Sequence, residues 1–373
     1  MRVSRRGFLA SLRMWAPLAA SASLPAIGAT TTGKGRQVPS AIQRYLDPST
    51  EFPVERLTDP SVTSVLPGAD SRPISRRGNF LIYASDSSGR MEAYRLDAKT
   101  GQARQLTEAA ALQPRSLALM PDERGFAYSD EGRVLVTNLN NLQTRPVYRA
   151  PEGFEVVAGP VITVDGQYGA LVERNGSHDR LRLIHIPDGA AVTLTEADEE
   201  LSSPIPRPRR ASVLYRRGAA WWLVNFDAQQ NYRLRLGDGE AAQATWSPDG
   251  RAVLYLNFPP DTHKLHALRE FVPDSNQDQA IAETSQFVGF DRNGDASVFV
   301  GASGSKASPH VLLLARTVQR EFTLCEHHAS DPRMVQPVFA PSSQRIFFNS
   351  DRDGKPAIYT MSVEKLVAET DAQ

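Results

Sequence analysis

Ser247-Pro248-Asp249-Gly250, followed at once by Arg251-Ala252-Val253-Leu254-Tyr255, reads as a tight turn that delivers an alternating strand. Proline presets φ, aspartate caps its own backbone, and glycine takes the positive φ that a hairpin needs. The unit recurs. Ser75-Arg76-Arg77-Gly78 precedes Asn79-Phe80-Leu81-Ile82-Tyr83, and Pro341-Ser342-Ser343 precedes Arg345-Ile346-Phe347-Phe348. Val164-Asp165-Gly166, Asp291-Arg292-Asn293-Gly294, Met120-Pro121-Asp122-Glu123 and Pro206-Arg207-Pro208-Arg209 complete a set of seven turns. Their spacing of roughly 42 residues is that of propeller blades.

Later strands within the unit repeat too. Asp86-Ser87-Ser88-Gly89-Arg90 leads into Glu92–Leu96, as Asp351-Arg352-Asp353-Gly354-Lys355 leads into Ala357–Met361. Helical periodicity is essentially absent outside the two termini. Val54-Glu55-Arg56-Leu57-Thr58 resembles Ala103-Arg104-Gln105-Leu106-Thr107, the outer strand of the first blade, while the last blade, ending near Val363, lacks such a strand. An N-terminal strand that completes the last blade would close the ring and protect its edges. The expectation is an all-β fold: a seven-bladed β-propeller over residues 51–373, closed by its N-terminal strand.

Ahead of the propeller, Ser4-Arg5-Arg6-Gly7-Phe8-Leu9-Ala10 places paired arginines before a modest apolar run, with small-residue cleavage sites at Ala20-Ser21-Ala22 and Ile27-Gly28-Ala29. Residues 1–30 therefore read as a twin-arginine signal peptide, which directs the folded chain to the periplasm or beyond. The run is too short and too rich in Ala and Ser to span a bilayer, and no cysteine follows it to carry a lipid, so no membrane anchor is expected. Residues 31–50 read as a linker with a short helix near Ile42–Leu46. Cys325 is the only cysteine, so stability must come from a large core rather than from disulfides. Lys and Arg balance Asp and Glu at 42 each, and no basic stripe with interleaved aromatics appears, which argues against a nucleic-acid partner.

With the blades laid out, the sequence resembles the oligogalacturonate lyase family, seven-bladed propellers that cleave pectin-derived galacturonides by β-elimination. The resemblance is carried by Tyr45-Leu46-Asp47-Pro48 leading to Arg56-Leu57-Thr58, by Ser203-Pro204-Ile205-Pro206-Arg207-Pro208, and by Gln336–Pro341 with Phe348-Asn349-Ser350-Asp351 and Gly354–Tyr359. The turns alone would fit any TolB-like propeller. The family's chemistry requires a divalent cation, manganese, on the uronate carboxylate, a neutral histidine to take the C5 proton, and an arginine for the substrate's charge.

At the positions where the resemblance places those groups, this chain carries others. Gln243 stands for the general base, and Ser285-Gln286 stands where one metal histidine would be. Met334 and Gln336 stand for a pair of metal histidines, Asp331 for a glutamine ligand, Ala220 for the arginine and Ser203 for a further histidine. Glutamine does not titrate near neutrality, and a thioether with neutral amides makes a poor site for a hard cation. No catalytic or metal residue is therefore expected, and no cofactor.

The remaining histidines offer no replacement. His327 and His328 adjoin Cys325 and Glu326, but adjacent strand residues point to opposite faces. His263 and His266 fall in a hairpin region, and His178, His185 and His310 lack partners in the pattern. Gly301-Ala302-Ser303-Gly304-Ser305 is not a hydrolase elbow, and Asp351-Arg352-Asp353-Gly354 is at most half a calcium loop. The expected role is a binding or accessory propeller, in effect a pseudoenzyme. Its mouth, with Gln243, Gln286, Gln336, Met334, Asp331 and Arg207, would hold a uronide or other oligosaccharide, or a protein partner, by hydrogen bonds. The alternative is a lyase rebuilt around different residues.

Overall fold

The computed structural model describes residues 33–371; the twin-arginine segment lies outside the described residues. Among the described residues, seven antiparallel sheets follow one another, the middle five each built from four consecutive strands, with one α-helix, Glu364–Asp371. Five sheets have four strands. The first and last have five. The innermost strands are Ser64–Val65, Ala118–Leu119, Glu155–Ile162, Leu201–Pro206, Glu240–Trp246, Phe287–Arg292 and Val338–Phe339, for blades one to seven.

Each of the seven turns joins the innermost strand of a blade to its second strand. The blade-five turn shows why. Ser247 Oγ donates to Asp249 at 2.7 Å and accepts from the Ala252 amide, while Asp249 accepts from the Arg251 amide at 3.0 Å. Gly250 sits at φ 71°, and a Cβ there would meet the Pro208 carbonyl oxygen at 2.2 Å. A side chain at that position would be strained and would collide with the blade-four turn.

The ring closes as the repeat implies. Pro53–Arg56 pairs with Ala357–Ser362, setting Glu55 opposite Thr360 and Arg56 opposite Tyr359. The Leu57 amide donates to the Ile358 carbonyl at 2.7 Å, and Thr58 Oγ1 accepts from the Ile358 amide at 2.9 Å. Val54 and Leu57 are buried in the flanking cores.

Of the segment expected to be a linker, the described residues 33–50 depart from that reading. Gln37–Val38 adds a fifth strand to blade one by pairing with Ala103–Gln105, and Gln43–Leu46 adds a fifth to blade seven by pairing with Pro53–Arg56. The short helix expected near Ile42–Leu46 is thus a strand. Asp47 accounts for the difference. Its carboxylate accepts from the amides and hydroxyls of Ser49 and Thr50, which turns the chain back as a hairpin, and its other oxygen accepts from the Glu326 amide of blade six. These bonds hold the Asp47 carboxyl below its ordinary pKa, against the opposing effect of burial. An Asx turn offers few letters to a sequence reader, and a four-residue strand has no periodicity to measure.

Candidate functional site: the central mouth and its floor

The inner strands surround an axial channel. Its wider end is a cavity of about 1100 Å3, and its narrower end, beside the seven turns, a cavity of about 360 Å3. Both cavities are bounded by Asp70, Thr245, Asp291, Val161, Ile205 and Val338, so these residues form the waist between them.

Gln243 lines the wide mouth from the inner strand of blade five. Its Nε2 donates to the Phe290 carbonyl at 2.9 Å and its Oε1 accepts from the Phe290 amide at 3.0 Å. Both ends of the amide are engaged in joining blade five to blade six. Gln336 also lines the mouth, and its Oε1 accepts from the Arg115 guanidinium. Ser203 is in the wall as well.

The other sequence-derived candidates stand outside that wall. Gln286 is exposed at φ 74° on the approach to the inner strand of blade six. Asp331 caps the short turn Pro332–Met334, accepting from the Arg333 amide at 2.9 Å, and Met334 ends that turn half-buried. Arg207 is buried at the turn end of blade four. Its Nε donates to the Gly250 carbonyl at 2.6 Å, it pairs with Asp274, and its guanidinium lies 4.8 Å from the Trp246 ring centroid. That geometry binds blade four to blade five.

Sequence reasoning missed most of the charged wall. Arg115, from the turn Pro114–Ser116 entering blade two, and Arg333, from the turn entering blade seven, line the mouth. Arg216 joins them from the second strand of blade four, where it meets Glu240 at 3.3 Å. Burial lowers the Arg115 pKa from its ordinary value, which still leaves a guanidinium charged. The Arg216-Arg217 doublet was the available signal, but only cross-strand pairing decides which arginine turns inward.

None of the seven histidines bounds either cavity. His327 is buried among blade-six and blade-seven elements, with Nε2 donating to the Ser303 carbonyl at 3.1 Å and Nδ1 accepting from the Ala329 amide. Burial lowers its pKa. His310 and His328 both face Glu326. His266 stacks on Phe258 and His178 pairs with Asp198. His185 pairs with Asp188, and His263 is an exposed turn residue. Among the described residues no group of three His, Cys, Asp or Glu side chains could hold a metal ion. The mouth's carboxylates, Asp70, Glu240 and Asp291, form no such group and share the wall with three guanidiniums, a set that does not fit a hard divalent cation.

A family model described as oligogalacturonate lyase matches residues 32–172. The chain is 24% identical to an oligogalacturonide lyase of Pectobacterium atrosepticum and 25% identical to an oligogalacturonate lyase of Dickeya dadantii, each over 88% of this chain and 98% of the relative. The fold superposes on an oligogalacturonate lyase solved in complex with manganese, with a TM-score of 0.83 at 23% identity, and on one from Vibrio parahaemolyticus, with 0.82 at 22%. Each covers 88% of this chain and 98% of the other. In sequence and in architecture the chain is a seven-bladed β-propeller that resembles the oligogalacturonate lyase family along nearly its whole length.

Proposed function

We propose that this propeller is exported through its twin-arginine signal and binds a short uronide in its central mouth, without the imidazole-and-cation elimination of the lyases it resembles. The observation that carries the reading is the Gln243–Phe290 clasp at the position where the resemblance puts the general base. An amide has no group that titrates near neutral pH, so it cannot take up a substrate proton as an imidazole does. Arg115, which donates to Gln336, Arg216, which pairs with Glu240, and Arg333 line the wall that would meet ligand carboxylates, with Ser203 beside them for a hydroxyl.

The chain's own groups then bind, orient and desolvate an anionic sugar, and nothing in the wall accepts a C5 proton through an imidazole. No helix among the described residues is long and apolar enough to cross a membrane. The test follows mixed oligogalacturonides with the purified propeller, with and without manganese, by the ultraviolet absorbance of unsaturated uronate. Absorbance that stays at the level of a denatured control, beside an active lyase in the same assay, supports the reading. Manganese-dependent growth of the signal defeats it.

A further inference from the structure

One short segment crosses the waist of the channel. After the inner strand of blade one the chain forms a single turn, Ala69–Ser71, and enters the channel. Asp70 Oδ1 accepts from Thr245 Oγ1 at 2.8 Å. Thr245 belongs to blade five, whereas the ring neighbours of blade one are blades two and seven, so this bond crosses the interior of the ring. Arg72 reaches a third wall, donating to the Ile162 carbonyl of blade three at 2.6 Å. The segment is thereby fixed to blades one, three and five. Arg72 itself is held at φ 48° and ψ 57°, a left-handed conformation that costs a non-glycine residue of order 1 kcal/mol and persists only where surrounding contacts enforce it.

We propose that this bridge makes the wide mouth a blind cup, and that Asp70 is the specificity-determining residue that reads the inserted end of the ligand through a sugar hydroxyl. The inference rests on the uronide reading above and adds the direction of entry. Asp70 bounds the mouth, and its second carboxyl oxygen accepts no hydrogen bond from the described residues. Burial raises its pKa, opposed by the Thr245 hydrogen bond and by Arg292 and Arg72. Asp70 is partly buried, and its free oxygen borders the mouth, where a ligand hydroxyl can donate to it.

A hydroxyl supplies that donor, while a ligand carboxylate at the floor would face Asp70 and Asp291 together. The carboxylates of the sugar are therefore directed up toward Arg115, Arg216 and Arg333, and its hydroxyl-bearing end goes down. A chain that enters end-on occupies one propeller per inserted end, whatever its length. A groove open at both sides would be decorated along the chain.

The experiment titrates trigalacturonate and long polygalacturonate into the wild type, Asp70→Ala and Thr245→Val, with unfolding midpoints recorded for each protein. The wild type should saturate long chains in proportion to chain ends, not to residues. Asp70→Ala should weaken trimer binding by about tenfold, the worth of one hydrogen bond to a charged group. Thr245→Val, which keeps the carboxyl and breaks only the bridge, should weaken it by about threefold or less. Trimer binding that Asp70→Ala leaves unchanged, or wild-type decoration in proportion to residues, overturns the floor alone. No trimer binding by the wild type overturns the uronide reading and the floor's role with it.

Discussion

Gln243 holds Phe290 by both the amide and the carbonyl of its backbone, at 3.0 and 2.9 Å. The pair fastens blade five to blade six at the channel wall. On the proposed reading, structure replaces chemistry at this point, and the contact has a stability consequence.

Gln243→Ala removes two partly buried hydrogen bonds and leaves the Phe290 backbone unpaired. The expected loss is about 1–3 kcal/mol, read as a lower urea midpoint with an unchanged slope. Gln243→His should give no elimination on the proposed reading, because among the described residues no group of three His, Cys, Asp or Glu side chains could hold the cation. An unsaturated product from that single variant would show that the mouth retains more of the chemistry than its donor set implies.

Asp291 gives a pH-dependent prediction. It lies buried at the waist, accepts from the Phe339 amide at 2.8 Å, and burial raises its pKa from 3.8 to about 6, with Asp70 adding to the rise and Arg292 opposing it. A folded-state pKa above the unfolded value means that the fold favours the protonated form. That contribution is fully present below about pH 4 and is lost as the pH rises through about 6. Asp291→Asn keeps an acceptor for Phe339 and cannot ionise. It should be more stable than the wild type at pH 7 by on the order of 2 kcal/mol, with the difference shrinking to nothing near pH 4. A difference that is constant with pH would contradict the assignment.

The fold was legible in the sequence for a physical reason. Seven copies of a turn such as Ser247–Gly250 each impose local geometry, and an orphan strand at Val54–Thr58 can be satisfied only by closing the ring. The site was legible only in part. Gln243 and Gln336 lie on or beside inner strands, where register from the nearest turn places them in the mouth. Arg115 and Arg333 lie in short turns between blades, and Asp70 in a turn that leaves its own blade, so no strand register reports their direction. Arg207 misled because a cation beside a family-like patch reads the same whether it faces a ligand or stacks on Trp246.

Ring closure is testable by truncation. A chain beginning at Asp59 lacks both outer strands of blade seven, exposing the edge of Ala357–Ser362 and the cores around Val54 and Leu57. It should fail to show the cooperative unfolding of the longer chain by circular dichroism. Leu57→Ala, a milder change at a residue 1% exposed, should cost about 2–5 kcal/mol. A truncated chain that unfolds like the parent would mean that the strand only decorates the last blade.

The guanidiniums of the mouth should carry the charge recognition. Arg115→Ala or Arg333→Ala should each weaken uronide binding by about five- to tenfold. Arg115→Lys should recover only part of the loss, since an ammonium cannot form the forked contact with a carboxylate. Affinity should fall with added salt less steeply in the variants than in the wild type. Unchanged affinity in both Arg115→Ala and Arg333→Ala would move the ligand away from this wall.

The most direct measurement of the central claim is a calorimetric titration of trigalacturonate into the purified propeller, first with a chelator present and then with added manganese. The account predicts the same affinity and one bound ligand in both conditions, because Arg115, Arg216, Arg333 and the floor hold the sugar without a cation. Binding that vanishes under the chelator and returns with manganese would contradict it.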